Sequence, residues 1–218
     1  MNYKMMGKFI SQILFVEAAF MLPALLLSIV YGEQSAVRGF IGAIIITLIV
    51  AAIMYVLCRN AVKRFYAREG LVCVGMSWIA LSIMGCLPFF ISREIPDFLD
   101  ALFEIVSGFT TTGSSILTDV EALSHGLLYW RSFSHWLGGM GVLVFLLAVV
   151  TRDRGGSGFT MHILRAESPG PNVGKLVPKM HTTARILYVI YVLLTIINVV
   201  FLLFGGMPVF EAVCTAMG

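Results

Sequence analysis

Charge is what this chain has least of. Only 12% of its 218 residues are Asp, Glu, Lys or Arg, and 59% are apolar, with a mean hydropathy of +0.93; soluble domains carry about 25% charge. That balance excludes a water-soluble globule. Fifteen Lys and Arg against twelve Asp and Glu leave a formal charge of +3, and no basic run is interleaved with aromatics, so no nucleic-acid partner is expected. The four cysteines, Cys58, Cys73, Cys86 and Cys214, lack CxxC spacing, which argues against both a zinc site and a disulfide framework. They read as small buried apolar residues. A cleavage site of small residues is also lacking after the first apolar run, so Phe9 to Val30, although preceded by Lys4 and Lys8, reads as a span rather than a leader.

Long apolar runs are what the chain does have. Five could cross a hydrocarbon core of about 30 Å, which takes about 20 helical residues: Phe9 to Val30, Gly39 to Leu57, Leu71 to Ile91, Leu127 to Val150 and Ile186 to Phe204. Lipid offers no partner to free N–H or C=O groups, so each is expected to be an α-helix, and the lack of strict alternation argues against barrel strands. The expected fold class is an all-α membrane protein, a helix bundle in contact with membrane lipid. Lys and Arg flanking spans stay cytoplasmic. Lys4 and Lys8, then Arg59, Lys63, Arg64 and Arg68, then Arg152, Arg154, Arg165, Lys175, Lys179 and Arg185 all fall on one side. The other side holds Arg38, Arg93 and Arg131 among Glu33, Glu94, Asp97, Asp100, Asp119 and Glu121. The N-terminus is therefore expected inside, with an acidic outer mouth that either concentrates cations or is ordinary solvated loop charge.

Between the third and fourth spans, Asp97 to Asp119 is neither loop nor span. Its first part, Phe98 to Phe109, is twelve residues of helical periodicity, reaching roughly 18 Å, about half the membrane. The polar run Thr110-Thr-Thr-Gly-Ser-Ser115 follows, poor in helix formers and carrying a glycine. The pattern predicts a half-helix followed by extended backbone returning to the outer surface. Irregular backbone at membrane depth must be buried in protein or line a water-filled cavity. The partially negative helix end and a ladder of carbonyls suit a dehydrated cation, and threonine hydroxyls add further oxygens. A re-entrant packing loop that binds no ion fits the same spacing.

Two motifs together, Ser107-Gly-Phe-Thr-Thr-Thr-Gly-Ser114 and Tyr129-Trp-Arg-Ser-Phe-Ser-His-Trp-Leu-Gly-Gly-Met-Gly141, resemble the first pore repeat of the Trk-type potassium uptake proteins of the Trk/Ktr/HKT superfamily. Arg68-Glu-Gly70, Leu87-Pro-Phe-Phe90 and Ala166-Glu-Ser-Pro-Gly-Pro171 extend the resemblance along nearly the whole chain. It implies K⁺ transport across a bacterial inner membrane by repeats of helix, half-helix with filter loop, and helix, arranged around one pore. On that pattern the chain divides into a two-helix extension at 1–70, a first pore repeat at 71–150, a basic cytoplasmic loop at 151–183 and the start of a second repeat at 184–218. Repeats three and four are absent, so the chain reads as the N-terminal portion of such a protein, either a piece of a longer frame or a truncated product.

The resemblance assigns K⁺ coordination to the backbone carbonyls of Thr111, Thr112 and Gly113, with Thr110 and Ser114 at the filter's two ends. Gly113 sits where plant relatives divide by cation preference, glycine accompanying K⁺. Arg131 is expected either to brace the filter loop, in company with Glu104, or to anchor the outer interface beside Trp130. His135 reads as a packing histidine, and Glu17 as an intramembrane acid hydrogen-bonded between helices, away from the pore. Ser134 and Gly138 form a small-xxx-small pair for close helix packing. No cofactor is expected beyond the transported ion. The resemblance implies as partners a TrkA-like cytosolic nucleotide-binding ring, docked on the basic loop unless that loop's charge is positive-inside charge alone, and a second copy in a homodimer. An intramembrane hydrolase would need Ser114 or Ser115 activated by His135, and no orienting acid accompanies that pair, so an enzyme is not expected. A fragment that folds without transporting is the remaining alternative.

Overall fold

A computed structural model of the chain describes residues 3–59, 67–141 and 180–218. Among these residues there are eight helices and no strand: α1 (Tyr3–Val30), α2 (Gln34–Leu57), α3 (Ala67–Gly85), α4 (Leu87–Ser92), α5 (Phe98–Phe109), α6 (His125–Met140), α7 (Met180–Phe204) and α8 (Val209–Met217). Four stretches are long and apolar enough to cross a membrane, Tyr3–Val30, Gln34–Leu57, Val72–Ser92 and Ile186–Phe204. The fold is an all-α membrane bundle.

Two of the expected spans differ in detail. The third is broken at Cys86 into α3 and α4. Pro88 causes the break, because it has no N–H to donate to the carbonyl four residues earlier and its ring collides with that carbonyl. The expected fourth span, Leu127 to Val150, begins two residues sooner, and its helix closes at Gly141, where φ is 66° and the N–H donates to Gly138 at 2.9 Å. Residues 142–150, like most of the basic loop at 151–183, lie outside the described residues.

The core runs through α1 to α6. Ile13, Leu14 and Met21 of α1, Phe40 of α2, Phe89 of α4, Ile105 of α5, and Leu127 and Trp130 of α6 are fully buried. Cys73, Cys86 and Cys214 are buried and unpaired, as small apolar residues would be. α7 differs: none of its apolar residues from Ile186 to Phe204 is buried and most are exposed, and it is fastened to α6 by Trp136 Nε1 donating to Thr195 Oγ1 at 3.0 Å and Tyr191 donating to the Trp136 carbonyl at 3.1 Å.

Three helices end in the same way. A helix leaves its last carbonyls unpaired, and a left-handed residue just past the end lets the following N–H groups satisfy them. In α1 that residue is Gly32 (φ 73°), with Gly32 N–H on Ile29 and Glu33 N–H on Ser28 at 3.1 and 2.9 Å. In α7 it is Gly206 (φ 85°), with the equivalent bonds to Leu203 and Leu202 at 3.0 and 3.2 Å. In α5 the position is held by Thr111.

Candidate functional site: the short helix α5 and its loop

α5 spans the twelve residues read from the periodicity. Asp97 starts it, in extended conformation, its side chain accepting the N–H groups of Leu99 and Asp100 at 2.7 and 3.3 Å. The C-terminal end is seated on α6. A Cβ added to Gly108 would overlap the Ser134 hydroxyl, and one added to Gly138 would overlap the Phe109 carbonyl. Ser134 and Gly138 thus form a close-packing seat, and the α6 backbone lies directly against the last turn of α5. His135 is buried, with Nδ1 3.0 Å from the Arg131 carbonyl, as befits a packing histidine.

The backbone past α5 is not extended from its first residue. Thr110 remains in the right-handed region (φ −86°, ψ 0°), its hydroxyl bonded to the Val106 carbonyl at 2.8 Å and lying 2.8 Å from the Thr112 hydroxyl. Thr111 turns left-handed at φ 54°, its N–H on Gly108 at 2.9 Å, and the Thr112 N–H returns to Ser107 at 3.0 Å. The need to cap α5 therefore overrides the extended preference of three threonines. Gly113 has φ 75° and open space where a Cβ would stand. The Ser114 carbonyl accepts the Ser107 hydroxyl at 2.5 Å. Thr110 to Ser115 are exposed, and among the described residues no hydrogen bond reaches the carbonyls of Thr111, Thr112 or Gly113.

Behind this loop lies a buried ion pair. Glu104, with a fully buried side chain, pairs with Arg131 Nε of α6. The same carboxylate accepts the Ser115 hydroxyl at 3.0 Å and the Ile116 N–H at 3.1 Å. A buried charge is tolerated only when paired and hydrogen-bonded, and Glu104 has three donors from two segments. Ser115 is thereby engaged with Glu104, and neither Ser114 nor Ser115 is bonded to His135.

Two expectations are corrected. Among the described residues Glu17 makes no helix-to-helix hydrogen bond, since neither carboxyl oxygen has a partner there. Its carboxyl lies near α5: Oε1 stands 3.0 Å from where a Cβ on Gly85 would be, a point also 3.1 Å from both Ile105 and Phe109. The Gly85 carbonyl accepts the Trp130 indole at 2.9 Å, which draws α3, α5 and α6 together at that point. The outer acids, secondly, are partly helix caps. Glu33 accepts the His125 and Gly126 N–H groups at 2.8 and 3.2 Å and meets His125 Nδ1 at 2.7 Å, while Glu94 accepts the Ser124 N–H at 2.8 Å. Carboxylates at a helix N-terminus satisfy orphan donors and oppose the dipole. Sequence reasoning missed these contacts because they join residues 30 to 93 positions apart. It also missed Ser107, for which only its place in the last turn before the threonines was a signal.

Helices of membrane-crossing length, with a short capped helix and an irregular loop packed among them, define a multi-pass integral membrane protein. The chain belongs to the TrkH family of cation transport proteins, whose family model matches residues 37–218. It is 33% identical over 216 residues to the Trk system potassium uptake protein TrkH of Salmonella typhimurium, covering 98% of this chain and 44% of that protein. It is 36% identical over 197 residues to the Trk system potassium uptake protein TrkG of Escherichia coli, covering 89% and 40%. The crystal structure of the potassium transporter TrkH from Vibrio parahaemolyticus superposes with a TM-score of 0.79 at 26% identity, covering all of this chain and 42% of that one. The chain thus spans less than half the length of these relatives.

Proposed function

We propose that this chain supplies the first pore element of a potassium uptake protein, with K⁺ dehydrated and held by the carbonyls of Thr111, Thr112 and Gly113. The observation that carries this reading is the loop itself: a capped short helix followed by three exposed residues of the threonine-glycine run whose carbonyls accept no hydrogen bond among the described residues. Oxygen ligands of this kind replace the hydration shell of a permeating ion. Thr110 belongs to the inner end, where its hydroxyl adds an oxygen, and Ser114 to the outer end. Glu104 and Arg131 brace the loop, because their ion pair ties its descending limb to α6. Family membership and the relatives named for potassium uptake support the choice of ion, and make the protein a transporter rather than an enzyme.

The remaining parts follow from the charge distribution and the family. The N-terminus lies in the cytoplasm of a bacterial inner-membrane protein, 1–70 is a two-helix extension, 71–150 the first repeat and 184–218 the start of a second. The basic stretch 151–183 is the docking face for a cytosolic nucleotide-binding ring, and the complete protein is a homodimer. The alternative, a fragment that folds without transporting, is favoured by the coverage of less than half of each relative.

Gly113→Ser in the complete transporter tests the filter. The new Cβ meets no neighbour, so its effect is confined to the left-handed backbone, where a side chain costs roughly 1–2 kcal/mol. The K⁺ over Na⁺ uptake ratio is expected to fall about tenfold, a difference of about 1.4 kcal/mol. An unchanged ratio removes the reading.

A further inference from the structure

Ser107 differs from most helical hydroxyls of the bundle in that it donates forward to a backbone carbonyl of the loop that follows its own helix. A serine or threonine in a helix ordinarily closes back on the carbonyl three or four residues earlier. Ser28, Ser77, Ser134 and Thr195 do so, at 3.0 Å to Ala24, 2.7 Å to Cys73, 2.6 Å to Arg131 and 2.9 Å to Tyr191. Ser107 reaches seven residues ahead instead, donating to the Ser114 carbonyl at 2.5 Å, the short end of the range for such bonds. Its own carbonyl accepts the Thr112 N–H at 3.0 Å. One buried residue therefore grips both ends of Thr112 to Ser114, and among the described residues no other α5 side chain is bonded to that stretch, the Glu104 contacts falling on Ser115 and Ile116.

The consequence concerns where the carbonyl ladder ends. The Ser114 carbonyl is committed to the Ser107 hydroxyl of α5, one of its lone pairs being used there. The carbonyls of Thr111, Thr112 and Gly113 have no such tether. Ser114 is therefore not equivalent to the three residues before it, although the sequence offers it as one end of the filter.

We infer that Ser107 is a positioning residue for ion selection: its hydroxyl holds the Ser114 carbonyl out of the ion path, so that the ladder stops at Gly113 with a fixed peptide plane behind it. This inference rests on the reading of Thr111 to Gly113 as a K⁺ filter. Without the hydroxyl, the Ser114 peptide is free to rotate and to present a fourth, loosely placed oxygen. Loose oxygens adapt to a smaller ion, and preference for K⁺ declines.

The test is the K⁺ over Na⁺ uptake ratio of Ser107→Ala and Ser107→Cys in the complete transporter, beside Gly113→Ser. The alanine variant is expected to lower the ratio about fivefold, the factor that one lost hydrogen bond is typically worth, with maximal K⁺ uptake little changed. Cysteine, close in shape and a weak donor, is expected to fall between. A purely structural role would depress uptake of both ions alike and leave the ratio alone, and that result would overturn the proposal. So would a Gly113→Ser effect with no Ser107 effect, whereas a ratio insensitive to either substitution rejects the filter reading itself. If Ser107→Ala does not transport, the excess thermal protection by K⁺ over Na⁺ is read on purified protein, and a wild-type excess overturns the proposal. If alanine does not assemble, the cysteine variant decides, and a wild-type ratio there overturns it.

Discussion

Thr111 holds a conformation that two other helices of the same molecule entrust to glycine. Gly32 and Gly206 close α1 and α7 at φ 73° and 85°, with the hydrogen-bond pattern that Thr111 completes at φ 54°. For a β-branched residue that region is unfavourable by roughly 1–2 kcal/mol, and such outliers persist where surrounding bonds over-determine them. Here the fixing bonds are the Thr111 and Thr112 N–H groups on Gly108 and Ser107. The side chain of Thr111 is exposed, so its removal forfeits little packing. Thr111→Gly is accordingly expected to raise the melting temperature, because the relief of strain exceeds the roughly 0.5–1 kcal/mol that glycine adds to the entropy cost of folding. It is also expected to lower K⁺ over Na⁺ discrimination if the Thr111 carbonyl coordinates K⁺ as proposed, because the backbone there becomes free to move. A variant that melts lower than wild type would show that the threonine is not strained.

At the scale of elements, α5 was legible and its surroundings less so. Twelve periodic residues bounded by Asp97 and a run of three threonines mark both ends of a helix, and the structure ends it at those residues. Hydropathy registers only apolarity, so it marks neither the close of α6 at Gly141, where glycine geometry ends the helix, nor the break that Pro88 makes between α3 and α4. Contacts across the chain leave no local mark at all. Glu33, in the turn between α1 and α2, caps α6 some ninety residues later, and Tyr31 stacks on the His125 ring at 3.9 Å beside it. That joint docks the two N-terminal helices onto α6, the helix that seats α5. Glu33→Ala is expected to lower stability by about 1–2 kcal/mol, the usual effect of losing a cap, with Glu33→Gln recovering part through its amide oxygen. Thermal denaturation of the detergent-solubilised protein measures this. Equal melting of wild type and alanine variant would show that the cap contributes nothing.

The whole molecule is asymmetric in where its apolar surface lies. α1 to α6 share one core, while α7 buries none of its apolar side chains from Ile186 to Phe204 and leaves most exposed, tied to α6 by two hydrogen bonds. In a bilayer such a surface is covered by lipid or by further helices, and the chain corresponds to 44% of the Salmonella relative and 42% of the solved Vibrio transporter. A dehydrated cation has to be surrounded by oxygens, and the described residues supply one loop of the kind formed by Thr110 to Ser114. One loop covers one side of an ion. Expressed by itself in a strain that cannot grow on low potassium, this chain is therefore expected to insert into the membrane and to leave growth unrescued, while a frame matching the relatives' full length restores it. Gly113→Ser in that longer frame should then permit growth on low potassium only when sodium is also low, since sodium would compete for the altered loop. Rescue by the 218-residue chain alone would mean that copies of it assemble and bring their loops around a common axis, and the reading of this chain as one part of a longer pore protein would have to be abandoned.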